Sequence, residues 1–313
     1  MTLSVGIVII THSAKKHLPN CLPPLLQSSL KPKILVVNSS SNDGTVELAQ
    51  EMGAETLIIP RAHFNHGSTR EVARRHLQTD IVIMLTPDAY FVNPLSLESL
   101  IKPLIEKKAS VAYARQIAHK KADFFESFPR EFNYPMESQI RSLEDVPKFG
   151  VYTFFCSNSC AAYLNSALDE VGGFESVLLG EDTVAVIKLL QQGHHIAYVS
   201  EAVVEHSHRY SLKQEFARHF DTGLARNSLK SFFNNAAAGS DQDRGKAYIK
   251  EMFDRLKSQP ILFPYAMLHV LTKWLGYRLG TLSQKAPVWF KKFFSSQDFY
   301  WVSDDFLRTK LYD

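Results

Sequence analysis

The segment Ile81–Phe91, IVIMLTPDAYF, constrains this chain more than any other. A run of β-branched and large apolar residues halts at Thr-Pro-Asp, which is how a strand buried on both faces ends at a sheet edge. Asp88 is then the first carboxylate offered where that edge meets solvent. In an open α/β sheet, ligands bind in the crevice beyond the carboxyl ends of the strands. Asp and Pro also start ordinary turns, so Asp88 alone does not establish a site.

The same grammar repeats upstream. SVGIVII at 4–10 reads as a buried strand ending in Thr11-His12-Ser13, with a proline-containing helix following to about Leu30. ILVVN at 34–38 is a second strand, SSSNDGT a polar loop, 45–52 a helix and TLIIP at 56–60 a third strand. A helix over 68–77 leads into the Ile81 strand. Strands alternating with helices at this interval predict right-handed crossovers and a mostly parallel sheet. The loop RAHFNHGS at 61–68 is dense in His, Asn and Arg. Ser68 or Thr69 is expected to cap the helix behind it, leaving its N-terminal amides facing the edge that carries Asp88, an arrangement suited to phosphate. Arg74 and Arg75 read as a solvated basic face, with Arg70 set apart by its place near the cap.

Beyond Asp88, 96–107 predicts a helix and 110–117 a strand, whereas 118–148 breaks pattern and reads as an irregular, mobile excursion with no assignable role. Strand-like residues return in TFFCSNSCAAYLN, and GGF precedes Gly180-Glu181-Asp182 at the start of an apolar-periodic helix. Helix capping explains one acidic residue there; two adjacent ones invite a chemical reading. HIAYVS at 195–200 is another strand. His206 and His208 follow it, two apart on an extended segment and so on one side, a geometry that suits a metal and also occurs in ordinary loops.

From residue 211 the character changes. Leu212, Phe216, Phe220 and Leu224 step by four along an amphipathic helix, NNAAAGSDQD reads as a flexible connector, and the tail interleaves Trp, Tyr and Phe with Lys and Arg. Segments of that kind lie in a membrane interface or pack as helices on the main domain. Division at residue 209 is therefore expected, with a catalytic domain over 1–209 and a helical region over 210–313 offering membrane or acceptor contact.

Composition narrows the class. Charged residues at 21% and apolar ones at 45% are globular proportions, and a net charge of +3 demands no polyanionic partner, so nucleic acid is not expected. Cys21, Cys156 and Cys160 cannot all pair and lack metal-ligand spacing, so they read as buried thiols in a reducing compartment. The start at Met1 lacks a basic stretch before its apolar run, so a signal peptide is not expected, and neither is a spanning helix. A cytoplasmic protein, peripheral on the inner membrane if attached at all, is the expectation.

In order, SVGIVIITHSA, VVNSSSNDGT, FNHGSTR, MLTPDA, GGF with GED, and VVEHSH resemble a bacterial glycosyltransferase of family 2. The implied fold is α/β of the GT-A type: a Rossmann-like, mostly parallel sheet flanked by helices, here with a C-terminal helical extension. FNHGSTR with TPDA is similar to the rhamnosyltransferase branch. The resemblance covers roughly residues 3–225. It implies transfer with inversion from a nucleotide sugar, foremost dTDP-L-rhamnose, using a divalent metal (Mg or Mn), onto a glycan or polyprenol-linked acceptor of an O-antigen-like polysaccharide. Thr11, Asn38, His66, Gly67, Arg70 and Asp88 would line the donor, Asp88 and His206 would hold the metal, and Asp182 would be the base with Glu181 second. The chain departs from the family pattern with Asn38 for an Asp, Thr86 for the first carboxylate of DxD, Pro87 for Gln and Ser68 for Gly. The competing readings are a noncatalytic binder of sugar nucleotides or glycans, or a transferase using a UDP- or GDP-sugar. A nucleotidyltransferase or a dinucleotide dehydrogenase is disfavoured, because THSAKKHLPN is neither a phosphate loop nor GxGxxG.

Overall fold

The computed structural model describes residues 3–228 and 241–309. Its first half alternates strand and helix: β1 (Val5–Thr11), α1 (Leu18–Leu26), β2 (Lys33–Asn38), α2 (Thr45–Glu51), β3 (Glu55–Ile58), α3 (His66–Leu77) and β4 (Ile81–Leu85). There follow β5 (Tyr90–Phe91), α4 (Ser96–Ile105), β6 (Val111–Ile117), α5 (Phe124–Asn133), β7 (Gln139–Arg141), α6 (Val146–Phe149), β8 (Cys160–Leu164), α7 (Asn165–Glu170), α8 (Glu181–Gln191) and β9 (Ile196–Glu205). Helices α9 (Leu212–Ser228), α10 (Asp241–Leu256), α11 (Phe263–Leu282), α12 (Val288–Phe294) and α13 (Asp304–Thr309) complete the described chain.

All nine strands join one sheet in the order β3-β2-β1-β4-β8-β6-β9-β5, with β7 also on β9. Strands β1 to β4 are parallel; β8 runs antiparallel between β4 and β6, so β6 and β9 again point the way of β4. The β-branched runs explain this placement. Ile7, Ile9, Ile83 and Leu85 meet Leu22, Leu25, Leu100 and Leu104 on one face, while Val8, Val82 and Met84 meet Ala73, Leu77, Ile187 and Leu190 on the other. Each such buried aliphatic side chain stabilises the fold by roughly 1.5–3 kcal/mol.

Two expectations are corrected. The helix expected from residue 68 starts at His66 and is capped by Asn65, whose Oδ1 accepts from the backbone N–H of Gly67 (2.8 Å) and of Ser68 (3.2 Å). An Asx side chain one turn ahead of the hydroxyls takes the amides first. The excursion at 118–148 is ordered: α5 carries a capping box between Asp123 and Glu126, and Arg141 on β7 lies fully buried, donating to Tyr113 Oη (2.8 Å) and the Phe155 carbonyl (2.8 Å). Its Pro and charged residues hide the amphipathic face that buries Phe128. The expected connector at 234–243 lies outside the described residues as far as residue 240.

The C-terminal helices fold back on the first part of the chain. On α10, Tyr248 packs on Phe128 of α5 (ring centroids 4.9 Å apart), and Arg244 donates to Asn133 Oδ1 (2.7 Å). Helices α9 and α11 cross at glycines: a Cβ on Gly223 would enter the Tyr277 carbonyl, and one on Gly276 or Gly280 the carbonyl of Phe216 or Phe220. The last turns return to the RAHFNHGS loop, where Arg61 lies over the Phe299 ring (4.2 Å) and Asp305 accepts from Ser68 Oγ (2.7 Å). Among the described residues, no helix is long and apolar enough to cross a membrane.

Candidate active site

The loop Ser157-Asn158-Ser159, ahead of β8, lies at the rim where β4, β6 and β9 end. Antiparallel pairing delivers it there: the Thr86 N–H donates to the Ser159 carbonyl (3.2 Å), setting the loop against the TPD turn. Two groups of candidate side chains flank it.

On one side stands Asp88. Its Oδ1 is 3.6 Å from His206 Nε2 and its Oδ2 is 3.5 Å from His208 Nε2. The β6–β9 pairing extends past Glu205, where the His206 N–H donates to the Ile117 carbonyl (2.8 Å), and this aims the histidine pair at Asp88. One ligand atom from each of the three residues falls within 4.8 Å of the others. Burial, with Arg130 nearby, lowers the His206 pKa to about 3, and burial lowers that of His208 to about 4, so both imidazoles are neutral with lone pairs available. One carboxylate and two neutral imidazoles suit a divalent metal. Gln116 supports this corner, donating from Nε2 to Ser157 Oγ (3.0 Å) and accepting at Oε1 from Arg130 Nη1 (2.8 Å).

On the other side are the two acidic residues opening α8. Glu181 is buried and accepts from Arg70 Nη1 (2.6 Å) and Asn158 Nδ2 (3.0 Å). Burial opposes its ionised form, but the Arg70 guanidinium, His66 and the hydrogen bonds from Asn158 and the backbone together outweigh that and hold the carboxyl below its ordinary range. Asp182 accepts from the Asn158 N–H at Oδ2 (3.2 Å) and from the Thr183 N–H at Oδ1 (2.7 Å). Burial and the adjacent Glu181 charge raise its pKa to about 6. Neighbouring carboxylates driven apart in this way mark one as a structural anion and the other as a group able to exchange a proton near neutrality. Thr183, the next residue, lines a cleft of about 270 Å³ with Phe132, Tyr152, Phe155, Arg244 and Tyr248.

The remaining candidates lie farther along the same rim or beneath it. Thr11 and Asn38 are buried, with Asn38 Nδ2 donating to Thr11 Oγ1 (3.2 Å), while His12 and Ser13 beyond them are exposed. His66 packs against Phe64 and Phe299, and burial lowers its pKa to about 4. At Gly67 the backbone of α3 approaches so closely that a Cβ would overlap the Glu175 carbonyl. Arg70 is engaged with Glu181 and the His66 carbonyl (3.2 Å), and the first amides of α3 are taken by Asn65. The structure thus brings Asp88, His206 and Asp182 around one loop and adds His208, Gln116 and Asn158 to them. His208 had a signal in its spacing from His206; Gln116 and Asn158 had none.

The sequence profile described as Glycosyl transferase family 2 matches residues 6–172, more than half of the chain. The chain belongs to glycosyltransferase family 2. Within the family it is 33% identical over 312 residues to "O-antigen chain rhamnosyltransferase RfbN" of Salmonella typhimurium, covering 98% of this chain and 99% of the relative. It is 34% identical over 286 residues to "O-antigen chain rhamnosyltransferase WbaN" of Salmonella anatum, covering 91% and 90%. Among solved structures it resembles the mannosyltransferase PcManGT of Pyrobaculum calidifontis, in complex with GDP-Man and Mn2+ (TM-score 0.59, 15% identity, 89% of this chain and 88% of that one). A second is S. aureus TarS 1-349 in complex with UDP-GlcNAc (TM-score 0.52, 13% identity, 90% and 92%). The fold is therefore the expected GT-A arrangement, and the protein is a glycosyltransferase.

Proposed function

We propose that this family 2 enzyme transfers L-rhamnose, with inversion, from dTDP-L-rhamnose to the non-reducing end of an O-antigen-type glycan carried on a polyprenol lipid. The rhamnosyl and O-antigen elements rest on the two near-full-length relatives. The transferase chemistry rests on one observation: Asp182, with its raised pKa, and the Asp88, His206 and His208 cluster border the same loop.

Asp88, His206 and His208 would hold the divalent cation; two imidazoles beside one carboxylate favour Mn over Mg, which prefers an all-oxygen shell. When bound, the cation neutralises charge developing on the departing nucleoside diphosphate. Thr11, Asn38 and the exposed His12 and Ser13 beyond them would flank the nucleotide, with His66 toward the sugar. Gly67 and Arg70 would shape the donor side indirectly, one by admitting α3 against Glu175 and the other by fixing Glu181. Asp182 would take the proton of the acceptor hydroxyl as its oxygen attacks the anomeric carbon opposite the diphosphate. The aromatic cleft beside Thr183 offers ring faces on which an acceptor pyranose can stack. A noncatalytic binder would need no carboxylate poised near neutrality.

The test is release of dTDP from dTDP-L-rhamnose in the presence of a polyprenol-linked glycan acceptor, with Mn or Mg, by the purified protein and an Asp182→Asn variant. Metal-dependent turnover lost in the variant with dTDP binding retained supports the reading. Turnover with UDP- or GDP-sugars in place of the dTDP-sugar would overturn the donor assignment.

A further inference from the structure

We propose that the outward face of α11, together with the exposed Trp289 and Phe293 of α12, is a docking surface for a bilayer containing anionic lipid, the protein lying on the membrane without crossing it. Pro264, Met267, Leu268, Leu271, Trp274, Leu275, Arg278 and Leu282 recur at three- and four-residue steps and are all exposed. At 100° per residue they form one stripe. The opposite side of the same helix carries Ala266, His269, Gly276 and Gly280, which are buried. Gly276 and Gly280 let one side of the helix close on α9, while the large residues face outward with no partner among the described residues. Trp274 is 56% exposed, Leu282 73%, Trp289 71% and Phe293 78%. Large exposed apolar side chains aligned along one face of a helix mark an interaction surface.

Charge selects the occupant. Between Asp254 and Asp298 the chain has no acidic residue, while Arg278, Lys285 and Lys292 are exposed among the apolar side chains. Tryptophans and cations around an apolar stripe match the boundary between acyl chains and anionic headgroups, where the rings bury their bodies and the cations meet phosphate. A span is excluded for this helix by hydropathy: its 20 residues are long enough but not apolar enough to cross. The surface stands whatever sugar nucleotide the enzyme takes, because no donor-site residue contributes to it.

The test mixes the full chain with phosphatidylcholine vesicles, with or without phosphatidylglycerol, and follows co-sedimentation and tryptophan emission, with no sugar nucleotide present. Expected are salt-sensitive binding to the phosphatidylglycerol vesicles and a blue shift from Trp274 and Trp289. A Trp274→Glu/Trp289→Glu/Phe293→Glu variant with unchanged dTDP binding should partition on the order of tenfold or more weakly. An Arg278→Gln/Lys285→Gln/Lys292→Gln variant, which leaves the apolar stripe intact, should lose the preference for phosphatidylglycerol. Binding by the aromatic variant equal to the parent's, or no binding by the parent, overturns the proposal. So does a concentration-dependent dimer in light scattering that the same aromatic substitutions dissociate, since the face would then belong to a second copy.

Discussion

Gln116 Oε1 lies 2.9 Å from His206 Nδ1 while also accepting from Arg130 Nη1. An arginine can only donate, so Arg130 fixes which end of the Gln116 amide is oxygen, and that oxygen requires Nδ1 of His206 to carry the proton. The lone pair then sits on Nε2, the atom facing Asp88. Support of this kind for a metal ligand typically governs affinity by 10–100-fold. Gln116→Leu should therefore weaken Mn binding in calorimetry by roughly that factor, and Gln116→Glu, which keeps an acceptor, should recover most of it. Unchanged affinity in the leucine variant would remove Gln116 from the site.

Asp182 predicts two opposite pH effects. As base it must be ionised, so kcat/KM should fall tenfold per pH unit below about 6, and Asp182→Asn should lose on the order of 10²–10⁴ in turnover. Stability runs the other way. With a folded pKa above the unfolded value of 3.8, the folded state binds the proton more tightly, so this residue's contribution is full below about pH 4 and is lost as pH rises through about 6. Asp182→Asn should thus melt above the parent at pH 8, with the gap closing near pH 4 in a calorimetric series.

Arg70 and Glu181 form a buried pair whose members depend on each other. Arg70→Met would strand the Glu181 charge, at a cost of about 3–5 kcal/mol. Chemical denaturation should show that loss, and adding Glu181→Gln should restore a large part of it. An additive double variant would mean that the two do not interact.

Gly67 and Ser68 should separate sharply despite adjacency. Gly67→Ala drives a methyl into the Glu175 carbonyl, and the enforced backbone shift should lower stability by about 1–3 kcal/mol or more. Ser68→Ala loses a single hydrogen bond to Asp305, about 1 kcal/mol. Thermal melts of the two purified variants compare these directly.

The buried strands were legible because Val5–Thr11 and Ile81–Leu85 carry continuous apolar runs that few other elements can use. The convergence of Asp88, His206 and Asp182 around one loop was expected from motif order. Helix α5 was not, since Pro129 and its charges obscure a face that becomes apolar only once α10 lies against it. The Asn65 cap was missed because Asn65, Ser68 and Thr69 can each cap a helix, and only the fold decides among them. Gln116 was silent for a different reason. A glutamine within a strand carries no pattern, and its meaning comes from Arg130 and Ser157, which converge on it from separate elements.

At Gly223, Gly276 and Gly280 the backbones of α9 and α11 meet directly, Glu215 of α9 pairs with His269 of α11, and α9 begins directly after His208-Arg209-Tyr210-Ser211. Whatever α11 rests on would therefore set the tilt and elevation of the corner that carries Asp88, His206 and His208. An enzyme anchored in this way would act as a ruler, sampling acceptor hydroxyls at a set height above their carrier rather than anywhere along the glycan.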